Sequence, residues 1–296
     1  MIIRGKKRLS FSLLYDWTTM IIIEKGDNIK KNLKCRYDKM KCYKIALFLS
    51  IITKLVLLKQ IKMENQSFDN LNVHFANTDA ERATFIKKTY LHLLGAILAF
   101  LVVEYFMLSS VLVQDMWISI LSASYGWLSV LGLVMVGAWM ANNFAFNSNR
   151  NIQYAGLGLY VVIEAIIFTP LLMIALTQID GSSILLKAGG MTVALFTGLT
   201  AVVITTGKDF SFLRSILMVG GFLAMGLIVI GLIFGFDLGL WFSVGMVLLA
   251  AGSILFETSK IFKTYPTDYY VGASLGLFAS FMLLLWYVIR IFMSRD

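Results

Sequence analysis

From about residue 90 onward the chain alternates long apolar runs with short polar turns. Seven runs stand out, at about 90–112, 123–143, 152–177, 187–206, 212–234, 238–259 and 269–293. A membrane helix needs ~20 mostly apolar residues to cross the hydrocarbon core, and anything of ~18 or more is a candidate. Barrel strands would be ~10 residues long and would alternate in polarity, whereas these runs are apolar on every face. Helices also satisfy their backbone amides internally, as lipid demands. The pattern predicts an all-α polytopic integral membrane protein, with a seven-transmembrane helix bundle over 90–296. Ahead of it, 63–89 is polar and reads as a cytoplasmic amino-terminal segment, preceded by a Lys- and Ile-rich leader over 1–62.

Composition strengthens this picture. The chain has 296 residues, 58% hydrophobic and 15% charged, where soluble domains average about 45–50% and about 25%. The formal charge of +9 does not mark a nucleic-acid binder, because all the excess sits in the leader: 15 Lys/Arg against 4 Asp/Glu in 1–62. The apolar run at 45–58, broken by Lys54, is too short to span, and no small-residue cleavage site follows it. Two readings of 1–62 remain: upstream sequence outside the natural protein, with Met63 as the start, or a basic anchor lying on the membrane surface. Lack of sustained helical periodicity favours the first. Cys35 and Cys42 also lie there, at a spacing that fits no metal or redox motif.

Basic residues flanking the runs set the expected orientation. Arg82, Lys87, Lys88, Arg150, Lys208, Arg214, Lys260 and Lys263 fall on one side, and Lys187, Arg290 and Arg295 on the other. The excess places the amino terminus in the cytoplasm. Gly231-Leu-Ile-Phe-Gly235, Gly235-Phe-Asp-Leu-Gly239 and Gly272-Ala-Ser-Leu-Gly276 fit the spacing that lets helices approach closely. Pro170 frees a backbone carbonyl within the third run.

Ionisable groups inside the spans are the candidate chemistry, since a charge such as Asp at bilayer depth costs roughly 2.5–3.5 kcal/mol on insertion scales. Glu104, Glu164 and Glu257 qualify, with Lys260 on the same helix face as Glu257. These four are the proton- or ion-sensing candidates. Glu257 and Lys260 also fit a plain interfacial ion pair, and Glu164 a structural bond near Pro170. With only His74 and His92, no HExxH or three-histidine metal site is possible, and no phosphate loop or nucleophile elbow occurs. No enzyme, cofactor or nucleic-acid partner is expected.

Several stretches, taken in order, resemble the transmembrane Bax-inhibitor-motif (Bax inhibitor-1-like) family in its bacterial branch. They are Tyr154-Ala-Gly-Leu-Gly-Leu-Tyr-Val-Val-Ile-Glu-Ala-Ile-Ile-Phe-Thr-Pro-Leu-Leu, Lys187-Ala-Gly-Gly-Met-Thr-Val-Ala-Leu-Phe, Gly207-Lys-Asp-Phe-Ser-Phe-Leu213, Leu255-Phe-Glu-Thr-Ser-Lys-Ile261 and Tyr270-Val-Gly-Ala-Ser-Leu-Gly-Leu-Phe278. The resemblance implies six helices around a central last helix, in a bacterial inner membrane. It also implies two carboxylates sharing a proton and engaging an arginine, proposed to gate a pH-sensitive calcium leak. Glu257 matches the first carboxylate, but Phe278 stands at the second and Ala141 at the arginine. A shared-proton dyad needs two close carboxylates. The expected function is a leak for calcium or another cation. The alternative, implied by another branch of the family, is a modulator of a membrane-bound ATP-dependent protease, contacted through 63–89.

Overall fold

The computed structural model describes residues 78–122, 126–178, 180–234 and 238–294. The expectations for the leader, for Met63 and for the first part of 63–89 lie outside these residues. Eight α-helices occur among the described residues: α1 (Asp79–Ser109), α2 (Val111–Ser122), α3 (Gly126–Ala145), α4 (Arg150–Thr177), α5 (Gly181–Thr206), α6 (Leu213–Phe234), α7 (Gly239–Lys263) and α8 (Tyr270–Met293). Six of them, α1 and α4 to α8, are long and apolar enough to cross a membrane. The chain is an all-α polytopic membrane protein.

Helix α1 starts well ahead of its apolar run. Thr78 caps it by accepting from the Glu81 amide at 3.3 Å, and Asp79 and Glu81 sit in its first turn, where the helix dipole favours negative charge. Its polar first turns therefore join 79–89 to the membrane helix. Helix α2 was not anticipated, because Gln114 and Asp115 interrupt an apolar stretch of only 12 residues. Helix α7 continues to Lys263, so Glu257 and Lys260 both lie in its closing turns. Gly239 begins α7 with φ 68°; Gly235, its expected partner, lies outside the described residues.

The burial pattern follows from a helix apolar all round. On α1, Phe85, Thr89, Leu93, Ala96, Phe100 and Glu104 face inward, while Leu91, Leu94, Leu98 and Leu101 are each more than half exposed. The outer stripe is surface for hydrocarbon. Three buried threonines spend their hydroxyls on the preceding turn: Thr89 donates to Phe85 O, Thr169 to Ala165 O and Thr192 to Ala188 O.

Helix α8 is the most buried span, with 56% of its apolar window inside against 39% for α4. It packs on α1, α3, α4, α5 and α7. Gly272 makes the approach to α3 possible, because a Cβ there would come within 2.9 Å of Ala145 O. Gly156 does the same from α4, where a Cβ would lie 2.6 Å from Ala145 N and 2.7 Å from Ala141 O.

Candidate functional site

The closing turns of α7 carry Glu257 and Lys260 three residues apart, hence on one face. Lys260 Nζ donates to Glu257 Oε1 at 3.2 Å, to Oε2 at 3.3 Å and to Tyr265 Oη at 3.2 Å. The Tyr265 hydroxyl donates to Glu257 Oε2 at 3.4 Å, which closes a three-membered ring of contacts. The ammonium also lies 4.9 Å from the Phe256 ring centre and 4.7 Å from that of Tyr265. Arg82 of α1 holds the following turn, donating to Tyr265 O at 2.6 Å and Ile261 O at 3.3 Å.

Gly276 of α8 forms the floor of this cluster, since a Cβ there would lie 2.9 Å from Glu257 Oε2. The side chains of Glu257 and Lys260 are only 15% and 29% exposed. Burial, then the negative charge of Glu257, pushes the Tyr265 hydroxyl up to about 12. It is therefore a neutral hydrogen-bond relay at physiological pH. The carboxylate of Glu257 is matched by a cation held against it.

The other two glutamates have different partners. Glu164 is half-buried, with the Tyr160 hydroxyl, one turn back on α4, beside its carboxyl. Glu104 is 3% exposed, and neither carboxyl oxygen has a hydrogen-bond partner. Thr169 faces it from α4, with its hydroxyl directed to Ala165 O at 2.8 Å and Met107 Sδ at 3.5 Å. Among the described residues no hydrogen bond joins any two of Glu104, Glu164 and Glu257, and no group of three His, Cys, Asp or Glu is placed to hold a metal.

Phe278 and Ala141 are packing residues here. Phe278, fully buried, meets Phe100 edge-on at 6.5 Å and Tyr160 at 6.1 Å, and Phe100 meets Phe168 at 5.2 Å. Ala141 is fully buried at the α3–α4 contact with Gly156.

Two polar clusters escaped the sequence reading. In the first, the α5–α6 loop is tied to α7: the Phe210 amide donates to Ser259 Oγ at 3.1 Å, and the Ser259 hydroxyl donates to Asp209 Oδ1 at 3.5 Å. Asp209 also accepts from Ser211 N at 2.9 Å and Ser211 Oγ at 2.5 Å, and these two bonds hold its carboxyl below the usual range. Gly207, at φ 59°, caps α5 and lets the loop turn. The only signal was the Gly-Lys-Asp-Phe-Ser motif, which does not reveal Ser259 as its partner.

In the second cluster, His92 of α1 joins Tyr154 of α4 and Tyr270 of α8. His92 Nδ1 donates to Lys88 O at 2.7 Å, leaving Nε2 to accept from Tyr154 Oη at 3.1 Å, and Tyr154 and Tyr270 share a hydroxyl contact at 3.2 Å. Arg150 and Lys88 stand over the Tyr270 ring at 4.5 and 5.4 Å. Tyr154 and Tyr270 open two of the quoted motifs, but nothing in one sequence pairs them.

The protein family described as inhibitor of apoptosis-promoting Bax1 matches residues 82–296, the whole helical region from Arg82 on. The chain belongs to this family. Its members are not enzymes. Among curated relatives, the uncharacterized protein PA2604 of Pseudomonas aeruginosa is 35% identical over 124 residues, 42% of this chain and 55% of that protein. An uncharacterized membrane protein of Vibrio cholerae is 28% identical over 184 residues, 60% of this chain and 81% of that one. The modulator of FtsH protease YccA of Escherichia coli is 34% identical over 137 residues, 44% of this chain and 60% of the relative. The match thus spans little more than half the length of the Pseudomonas relative.

Proposed function

We propose that the chain is a seven-span bacterial inner-membrane protein, folded around its last helix with its amino terminus in the cytoplasm, that modulates a membrane-bound ATP-dependent protease of the FtsH type by binding. The likeness to the E. coli modulator of FtsH protease carries this reading. The site geometry is consistent with it. The charge of Glu257 is balanced by Lys260, and the positions matched to the family's second carboxylate and its arginine hold Phe278 and Ala141. One carboxylate cannot share a proton with itself. Segment 63–89, joined to α1, is the contact we assign to the protease. Tagged protein extracted in mild detergent is expected to bring the protease with it, and deletion of 63–77 to release it. Extraction without the protease, from cells that contain both, rules the reading out.

A second reading, a slow leak of calcium or another cation, draws support from Glu104, a buried carboxyl without a hydrogen-bond partner. Intramembrane acids of this kind often line ion or proton pathways. Here Glu104, Glu164 and Glu257 would act as proton- or ion-sensing groups, with Lys260 as the counter-charge. Liposomes carrying the protein would then lose calcium faster than empty ones, and Glu104→Gln or Glu257→Gln would change the pH dependence. Equal retention by all these liposomes excludes the leak.

A further inference from the structure

A groove of about 510 Å³ runs between α1 and α4. Gly95, Ala96, Ala99, Val103, Gly158 and Val161 line it, and Leu91 and Val162, both exposed, form lips open to the lipid side. A Cβ built at Gly95 or Gly158 meets nothing within 4 Å, so the missing side chains are what leave the space. From His92 to Val103 the groove is about 16 Å long at 1.5 Å per residue. That matches one leaflet's share, about 15 Å, of a ~30 Å hydrocarbon core.

One end of the groove is polar and positively charged. His92 and Tyr154 line it there, and their hydrogen bonds to each other and to Tyr270 fix its width. One helical turn outward stand Lys88 and Arg150, both over the Tyr270 ring. Among the described residues neither cation has a carboxylate partner. The amino-terminal end of α4, beginning at Arg150, adds the positive end of a helix dipole. An apolar slot one leaflet deep, ending at two uncompensated cations and two hydroxyls, complements an acyl chain with an anionic head.

We propose that this groove binds one anionic phospholipid, with an acyl chain between α1 and α4 and its phosphate against Lys88, Arg150 and the Tyr154 hydroxyl. A zwitterionic lipid fits the slot equally well but gains nothing net from the two cations. Attraction of anionic lipid to a surface Lys or Arg is roughly five-fold per charge, so a preference of roughly 25-fold is expected for two.

Native mass spectrometry of the full chain, released from detergent micelles, reads this directly. Titration with dioleoyl-phosphatidylglycerol should show a single saturable adduct, about 25-fold tighter than with dioleoyl-phosphatidylcholine. Gly158→Leu fills the slot and should abolish that adduct at unchanged helical circular dichroism; Gly95→Leu tests the same slot from the opposite wall should the first variant misfold. Lys88→Gln with Arg150→Gln should bring the two lipids to near equality. Equal binding of both lipids by the wild-type chain overturns the proposal, as does an unaltered adduct in the filled variants. Full displacement by millimolar inorganic phosphate assigns the cations to a free anion and overturns it too.

Discussion

Lys260 decides what Glu257 can be. Breaking a partly buried ion pair from one side leaves the other charge unsatisfied, at a cost of about 1–3 kcal/mol. Lys260→Gln is therefore expected to lower stability in micelles by about that much. The double variant with Glu257→Gln should recover most of it, because no lone charge remains. Thermal melting of the three proteins in one detergent checks both outcomes. A Lys260→Gln protein as stable as the wild type would mean that the carboxylate finds solvent instead. Tyr265 makes the same cluster sensitive to alkali. Below pH 10, its ordinary value, the phenol is protonated in both folded and unfolded chains, and its contribution is complete. Between about 10 and about 12 the unfolded chain ionises first, and that contribution is lost. Melting temperatures followed from pH 8 to 12 should fall less steeply for Tyr265→Phe than for the wild type. The Glu257–Lys260 spacing was legible from helix periodicity. The return of Tyr265 over the turn was not, since it depends on Arg82 gripping two carbonyls from another helix.

At the scale of elements, apolar run lengths located the helices to within a few residues at most ends, because hydrocarbon leaves the backbone few alternatives. They failed where polarity and helicity part company. Residues 79–89 are helical although polar, owing to the Thr78 cap and acidic first turn, and α2 is helical although too short to cross. Small-residue spacing was an uneven guide. Gly272 does admit a neighbouring backbone, but Gly239 begins a helix, and the close approach of α4 to α3 belongs to Gly156, outside any of the quoted pairs. Gly156→Ala forces a Cβ to 2.6 Å from Ala145 N and should cost about 1–3 kcal/mol. Gly158→Ala, two residues away and facing open space, should be neutral or gain up to about 1 kcal/mol from helix propensity. Denaturant melts of the pair separate packing from propensity. The α5–α6 loop offers a test of long-range tethering. Ser259→Ala removes its anchor on Phe210 N and Asp209, and trypsin should then cut after Lys208 several-fold faster. An unchanged cleavage rate would show the loop held by other contacts.

For the whole molecule, composition and run lengths were enough to place the chain in a bilayer, and ordered motifs were enough to place it in its family. They did not disclose how the ionisable groups are distributed. Glu104, Glu164 and Glu257 are candidate sensing groups by their depth in the apolar runs, and Glu257 also by its match to the family's first carboxylate. Depth is a property of one helix, whereas pairing depends on which helices face each other. In the folded chain, Glu257 is paired with Lys260, Glu164 lies beside the Tyr160 hydroxyl, and Glu104 has no hydrogen-bond partner. We propose recognition over conduction because Phe278 and Ala141 leave Glu257 without the second carboxylate and the arginine that the family resemblance implies.

That contrast is tested most directly by reconstituting the FtsH-type protease in proteoliposomes with a membrane-protein substrate, ATP and increasing amounts of this chain. The degradation rate should change progressively with the ratio of chain to protease and then saturate, at calcium retention equal to that of liposomes without the chain. A degradation rate that stays constant to a large molar excess, in vesicles that leak calcium, would contradict it.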